Sequence, residues 1–204
     1  LQQLSDNGWK DAAEGILTTD TRPKGASVQW DINGSTVTVT GICKGSGMIK
    51  PNMATMLGYI ATDASIDDEL LHAALRKANG KSFNRITVDG DTSTNDAVLL
   101  VATGTSGVEI DESNFELFLA QLTDICVQLA QSIIRDGEGA SKFITVNAEG
   151  ANNAQEALSD HQKRQSCLHR HLPKVIYPKC YKHLIVSIRY ISRFLDCLVH
   201  PNLS

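Results

Sequence analysis

The chain lacks the features that would assign it at a glance. It has no excess of charge: 19 Lys+Arg against 23 Asp+Glu leave a formal −4 over 204 residues, no footprint for nucleic acid. It has no uninterrupted apolar run of the roughly 18 to 20 residues that a membrane-spanning helix needs. Its five cysteines are odd in number and irregular in spacing, so they form no disulfide framework, and no signal-peptide pattern opens the chain at Leu1. These absences point to a soluble protein of the reducing cytoplasm, with no membrane and no nucleic acid among its partners. The hydrophobic content, 42%, allows a core of ordinary size. The opening "LQQLSDNGWKDAAEGI" reads as the middle of an amphipathic pattern, as a fragment would.

A second absence divides the chain. Residues 158–204 contain no Gly, no Ala and no Glu, whereas residues 1–157 hold all 15 glycines. The first part has a formal charge of −10 and the second +6. Five of the six histidines and three of the five cysteines also lie in the second part. Such a joint loss is the signature of frame-shifted or unspliced sequence beginning near Leu158; the other reading is an unusual basic tail. Cys167, His169, His171, Cys180 and His183 lack the paired spacing of a structural zinc site. No metal is expected. "HLIVSIRYISRFLDCLV" has the composition of an amphipathic helix, interrupted by Arg189, Arg193 and Asp196.

What is present before Leu158 has a clear rhythm. "SVQWDINGSTVTVTGI" alternates apolar and polar residues on both sides of Asn33-Gly34, which tolerates the positive φ angles of a two-residue hairpin turn. Leu57 to Thr62 reads as a strand. "SIDDELLHAALRKANG" reads as a helix with an acidic first turn and a Gly80 stop, followed by a short strand over Arg85–Asp89. "DAVLLVATG" predicts a buried strand, Ser113 a cap for a long helix through "NFELFLAQLTDICVQLAQSIIRD", and "SKFITVNAEG" a last strand. Hairpins mixed with helices, without regular βαβ alternation, indicate an α+β, layered fold.

Three loops have the residues for chemistry. Gly80-Lys81-Ser82 is no phosphate loop, because the glycine required five positions earlier is Leu75. In "ITVDGDTSTND", Asp89 and Asp91 follow a strand as in magnesium-dependent phosphotransferases, although clustered Asp, Ser, Thr and Asn are also ordinary turn formers. The third loop, "KGSGMIKPNMATML", places Ala54-Thr55 where glycines and a proline meet a core strand. A strained Ala54-Thr55 peptide lets Thr55 Oγ attack the Ala54 carbonyl, shift the acyl group from nitrogen to oxygen and release it to water. The freed Thr55 α-amine, with an ordinary pKa of roughly 7.7 to 8.0, is then base for its own hydroxyl. A glycine loop feeding a strand is the plainer reading of the same residues.

"LTTDTRPK", "KGSGMIKPNMATMLGYIATDA", "DGDTSTNDAVLLVATG" and "RDGEGASKFITVNAEGA" together resemble, in order and spacing, the bifunctional ornithine acetyltransferase and N-acetylglutamate synthase family, the glutamate N-acetyltransferases of arginine biosynthesis. The resemblance covers about residues 6–157. It implies an amino-terminal-threonine-nucleophile fold and a precursor that cuts itself between Ala54 and Thr55. It implies transfer of acetyl from N-acetylornithine to glutamate through an acetyl-threonine, with acetyl-CoA an additional donor in some members and no cofactor. Thr55 matches the catalytic and substrate-binding threonine, Lys44 the substrate-binding lysine, Thr18 (with Thr19 beside it) a substrate-contacting threonine, and Glu138 the substrate-binding glutamate.

The same resemblance divides the chain into residues 1–54, the end of an α chain truncated at its start, residues 55–157, the beginning of a β chain, and the atypical tail. Family members keep these two chains together, commonly as oligomers of heterodimers. Their oxyanion-hole Thr-Gly pair lies upstream of the "TTDT" motif, before Leu1, and their closing Asn and Ser or Thr lie in the part that residues 158–204 replace. The fold is thus expected to be incomplete at both ends. Loss of oxyanion donors alone lowers rates by about 10² to 10³. The readings that remain are the acetyltransferase, a phosphotransferase on Asp89 and Asp91, and a non-catalytic remnant.

Overall fold

A computed structural model describes residues 8–46, 56–87, 96–137, 143–149 and 186–191. The opening amphipathic pattern forms a short helix, α1 (Trp9–Gly15). Strands β1 (Lys24–Ile32) and β2 (Ser35–Lys44) then form the expected hairpin, with Ile32 opposite Ser35 and Lys24 opposite Cys43. Asn33 and Gly34 make the turn at φ values of 53° and 85°, a region open to Gly and tolerated by Asn. β3 (Leu57–Thr62) has the bounds read from sequence and lies antiparallel to β2, with Leu57 opposite Lys44.

A two-residue strand, β4 (Ser65–Ile66), precedes helix α2 (Asp68–Lys81). Asp67 caps α2 by accepting the Glu69 N–H at 2.8 Å, and the helix runs one residue past Gly80. The strand expected from Arg85 is not formed at its start. Phe83–Arg85 is a 3-10 turn, because the Arg85 N–H bonds back to the Ser82 carbonyl and its guanidinium Nε to the Gly80 carbonyl, curling the chain onto the end of α2. Val88 and Asp89, its far end, lie outside the described residues.

β5 (Ala97–Ala102) pairs in parallel with β3 and completes a four-stranded sheet of order β1-β2-β3-β5. It is not the buried strand the apolar run suggested. Alternation turns Leu99 and Val101 to the uncovered face of the sheet, 52% and 54% exposed, while Val98 and Leu100 face the core. β6 (Glu109–Ile110) pairs with β4. Helix α3 (Phe115–Arg135) starts without the expected Ser113 cap: Ser113 donates both its N–H and its hydroxyl to Asp111 Oδ1, and Asn114 occupies the cap position, its carbonyl accepting the Phe118 N–H while its side chain makes no capping bond. β7 (Ile144–Glu149) pairs in parallel with β8 (Val186–Ile191), so the part of the tail expected as an amphipathic helix is a strand where it is described.

The core lies between the sheet and α3, which packs across β1 and β2 and against α2. Phe118, Leu122, Ile125, Leu129 and Ile133 repeat at helical spacing and are fully buried. Each contributes about 1.5–3 kcal/mol. By length and composition alone α3 could cross a bilayer, but this apolar stripe is spent on the sheet. Gly41 on β2 allows the close approach. A Cβ there would stand 2.9 Å from Leu129 Cδ1 and 3.1 Å from Ile60 Cγ1.

Candidate active site

One end of the sheet gathers the polar groups. Register puts Lys44, the last residue of β2, opposite Leu57, and Leu57 beside Ala97 at the start of β5. Lys44, Met56 and Asp96 therefore meet at neighbouring strand ends, at the base of the connection from β2 to β3. Ala54 and Thr55 belong to that connection and lie outside the described residues, as do Glu138, Asp89 and Asp91. Met56, the residue after Thr55, is buried.

The structure brings two of the candidate substrate residues together. Lys44 Nζ donates to Thr18 Oγ1 at 3.1 Å. Lys44 is only 8% exposed, yet it forms no ion pair among the described residues. Thr19 makes a different contact, hydroxyl to hydroxyl with Ser46. A buried ammonium whose recorded partner is one hydroxyl is a costly arrangement unless an anion completes it.

A second lysine, Lys24, is treated in the opposite way. It opens β1 on the core side, where its Nζ reaches Asp20 Oδ1 at 2.6 Å and Asp136 Oδ2 at 2.5 Å, with all three side chains 2% exposed or less. Asp20 also accepts the Gly45 N–H at 2.6 Å, and Asp136 accepts both the N–H and the hydroxyl of Thr21. Burial works against charge on Asp20, but the Lys24 ammonium and the Gly45 N–H outweigh it and hold the carboxyl below its usual range. Asp136 has the same balance, with burial overcome by Lys24 and Thr21. The cluster ties the loop around Thr18, the residue after Lys44 and the C-terminal end of α3 into one unit. Asp136 stands two residues before Glu138.

Sequence reasoning missed Asp20, Lys24, Asp136 and Asp96. The first three sit inside "TTDTRPK" and "RDGEGA", where attention went to the threonines and Glu138; Asp96 ends a run of turn formers. Asp96 accepts the Met56 N–H at 2.7 Å, and its other oxygen is buried with no partner among the described residues. Burial pushes its carboxyl up to about 6, against the Met56 N–H and the charge of Lys44, which pull it down. Cys43, opposite Lys24, is pushed up to about 12 chiefly by burial and is no nucleophile at neutral pH. The described residues contain no group of three or more metal-binding side chains.

Comparison with known proteins shows what the chain is similar to. The sequence model of the ArgJ family matches residues 1–163, leaving most of the compositionally distinct tail outside it. The chain is 56% identical over 162 residues to an arginine biosynthesis bifunctional protein ArgJ of Pseudomonas fluorescens (strain Pf0-1), covering 78% of this chain and 40% of that protein. To the protein of the same description in Pseudomonas syringae pv. tomato it is 55% identical over 162 residues, with the same coverage. The chain thus spans about two fifths of the length of these curated relatives. Among solved structures, the arginine biosynthesis bifunctional protein ArgJ of Bacillus halodurans is 39% identical, with a TM-score of 0.48 over 52% of this chain and 51% of that one.

Proposed function

The chain belongs to the ArgJ family, and from that premise we propose that it encodes the acetyl-transferring part of a glutamate N-acetyltransferase of arginine biosynthesis. N-acetylornithine gives its acetyl group to Thr55, and glutamate takes it, in a ping-pong sequence through one pocket. The observation that carries this reading is Lys44, a buried ammonium that forms no ion pair among the described residues, hydrogen-bonded to Thr18 and paired with Leu57 two residues beyond Thr55. A carboxylate common to N-acetylornithine and glutamate completes such a site. Lys44 binds it, Thr18 orients Lys44, and Glu138 receives the substrate ammonium.

The cleavage that readies the site uses the same threonine. Thr55 Oγ adds to the Ala54 carbonyl carbon, the Ala54–Thr55 C–N bond breaks as the nitrogen takes a proton, and water hydrolyses the resulting ester. Ala54 leaves as a new C-terminus and Thr55 keeps a free α-amine. In the transfer reaction that amine takes the Thr55 hydroxyl proton as Oγ attacks the acetyl carbonyl, and returns a proton to the departing ornithine amine. Acetyl-CoA, a thioester open to the same attack, is a second donor, and the two cleaved chains remain associated as a heterodimer that oligomerises. A magnesium phosphotransferase on Asp89 and Asp91 draws no support from the family.

Intact mass spectrometry of the expressed chain beside Thr55→Ala tests the reading. The expected result is two fragments broken at Ala54–Thr55 in the wild type and a single mass in the variant. Cleavage that persists in Thr55→Ala overturns Thr55 as the nucleophile here; a wild-type chain that stays whole leaves the family standing and marks this chain as a non-catalytic remnant.

A further inference from the structure

Met56 is held from both sides by the leading end of β5. Its N–H donates to Asp96 Oδ1 at 2.7 Å and its carbonyl accepts the Ala97 N–H at 3.2 Å. The nitrogen so held is bonded directly to the carbonyl carbon of Thr55, so whatever fixes it limits the rotation of the threonine as well. We propose that Asp96 is a positioning residue for the Ala54–Thr55 cleavage and the acetyl transfer that follows, its carboxylate orienting Thr55 through the Met56 N–H. This inference rests on the reading of Thr55 as the nucleophile.

Two features separate Asp96 from a structural acceptor. A lone N–H needs only a neutral acceptor, yet the position holds an acid whose second oxygen is buried and unpartnered among the described residues. Leaving a buried acceptor unsatisfied costs free energy, and such groups concentrate where function requires them. The charged environment also fits. Lys44, from β2, is the charged side chain among the described residues that acts on it; Met56, the residue before β3, contributes its N–H. Asp96 therefore links the substrate lysine to the residue beside the nucleophile. A carboxylate is the stronger acceptor, so the ionised form is the working one, and with a carboxyl pushed up to about 6 the rate should fall as pH drops through that value.

Cleavage at Ala54–Thr55 is to be timed by intact mass spectrometry in the wild type, Asp96→Ala and Asp96→Asn across pH 5 to 8. Loss of a charge-assisted hydrogen bond predicts about 10- to 100-fold slower cleavage in Asp96→Ala. Asp96→Asn, which keeps an acceptor, should be slowed less and should lose the acidic limb. Cleavage of Asp96→Ala at the wild-type rate overturns the proposal. A second measurement stands apart from cleavage: in the Thr55→Ala chain, the Met56 amide resonance should titrate with a midpoint near 6, and Asp96→Asn should abolish that titration. An amide that does not titrate overturns the proposal even if the chain cuts. A wild-type chain that stays whole marks a non-catalytic remnant, while the Met56 titration still decides for or against the contact made by Asp96.

Discussion

Lys24 and Lys44 stand at the same end of the sheet, on adjoining strands, and both are buried. The regions around them are built on opposite plans. Around Lys24 every charge is answered: two carboxylates flank the ammonium, and each accepts a further hydrogen bond from backbone or hydroxyl. Around Lys44 the recorded acceptor is one hydroxyl. A satisfied cluster specifies where its segments sit, which is the use a buried ion pair serves best when its net contribution to stability is small. An ammonium with no ion pair among the described residues has donor capacity left for a ligand. The difference tells scaffold from site where residue type does not.

The largest effect that would break this comparison is expected from Lys24→Met. It leaves Asp20 buried without its cation and Asp136 with only the half-exposed Arg22 guanidinium, 3.9 Å away, and should destabilise the chain by about 3–5 kcal/mol in urea unfolding. The pH dependence has a definite sign. Because both folded carboxyls lie below the usual range, their contribution is present above the unfolded carboxylate pKa and is lost as pH falls through the lowered folded values. Wild-type stability should decline on that acidic side, and Lys24→Met should flatten the decline.

Lys44→Met sharpens the contrast from the other side. Removing a buried cation that has no ion pair among the described residues should leave stability unchanged or raise it by up to ~2 kcal/mol, while the proposed acetyl transfer should suffer chiefly through a raised KM for N-acetylornithine. A loss of stability as large as that of Lys24→Met would make Lys44 part of the scaffold. The smallest effect belongs to Lys77, which pairs with Glu116 at 3.6 Å on the surface and lies 4.9 Å from the Phe115 ring centre. Lys77→Ala should cost about 1 kcal/mol or less and leave transfer rates alone.

The parts legible in the sequence are those set by neighbouring residues. Asn33-Gly34 fixed the hairpin because its positive φ angles are a local matter, and β3 could be bounded because its run is framed by loop residues. Long-range pairing decided the rest. That the face of β5 carrying Leu99 and Val101 is exposed depends on what packs against the sheet, which no local pattern shows. Alternation along β1 puts Lys24 on the core side, yet a lysine opening a strand reads as solvated until Asp136 is found 112 residues away. At the site, the Lys44–Thr18 contact joins two motifs that the sequence had singled out separately. Asp96 escaped notice because its partner is a backbone N–H.

The Lys24–Asp136 contact also has a consequence in time. Asp136 is made 112 residues after Lys24, and at synthesis rates of about 5–20 residues per second the nascent chain waits roughly 6–22 s for it. The hairpin can form during that interval, but the segment around Thr18 and Gly45 is not locked until the last turn of α3 has emerged. If bond breakage at Ala54–Thr55 depends on that lock, the precursor carries its own delay. On that condition it would stay one polypeptide until enough of it had been made to hold the two halves together.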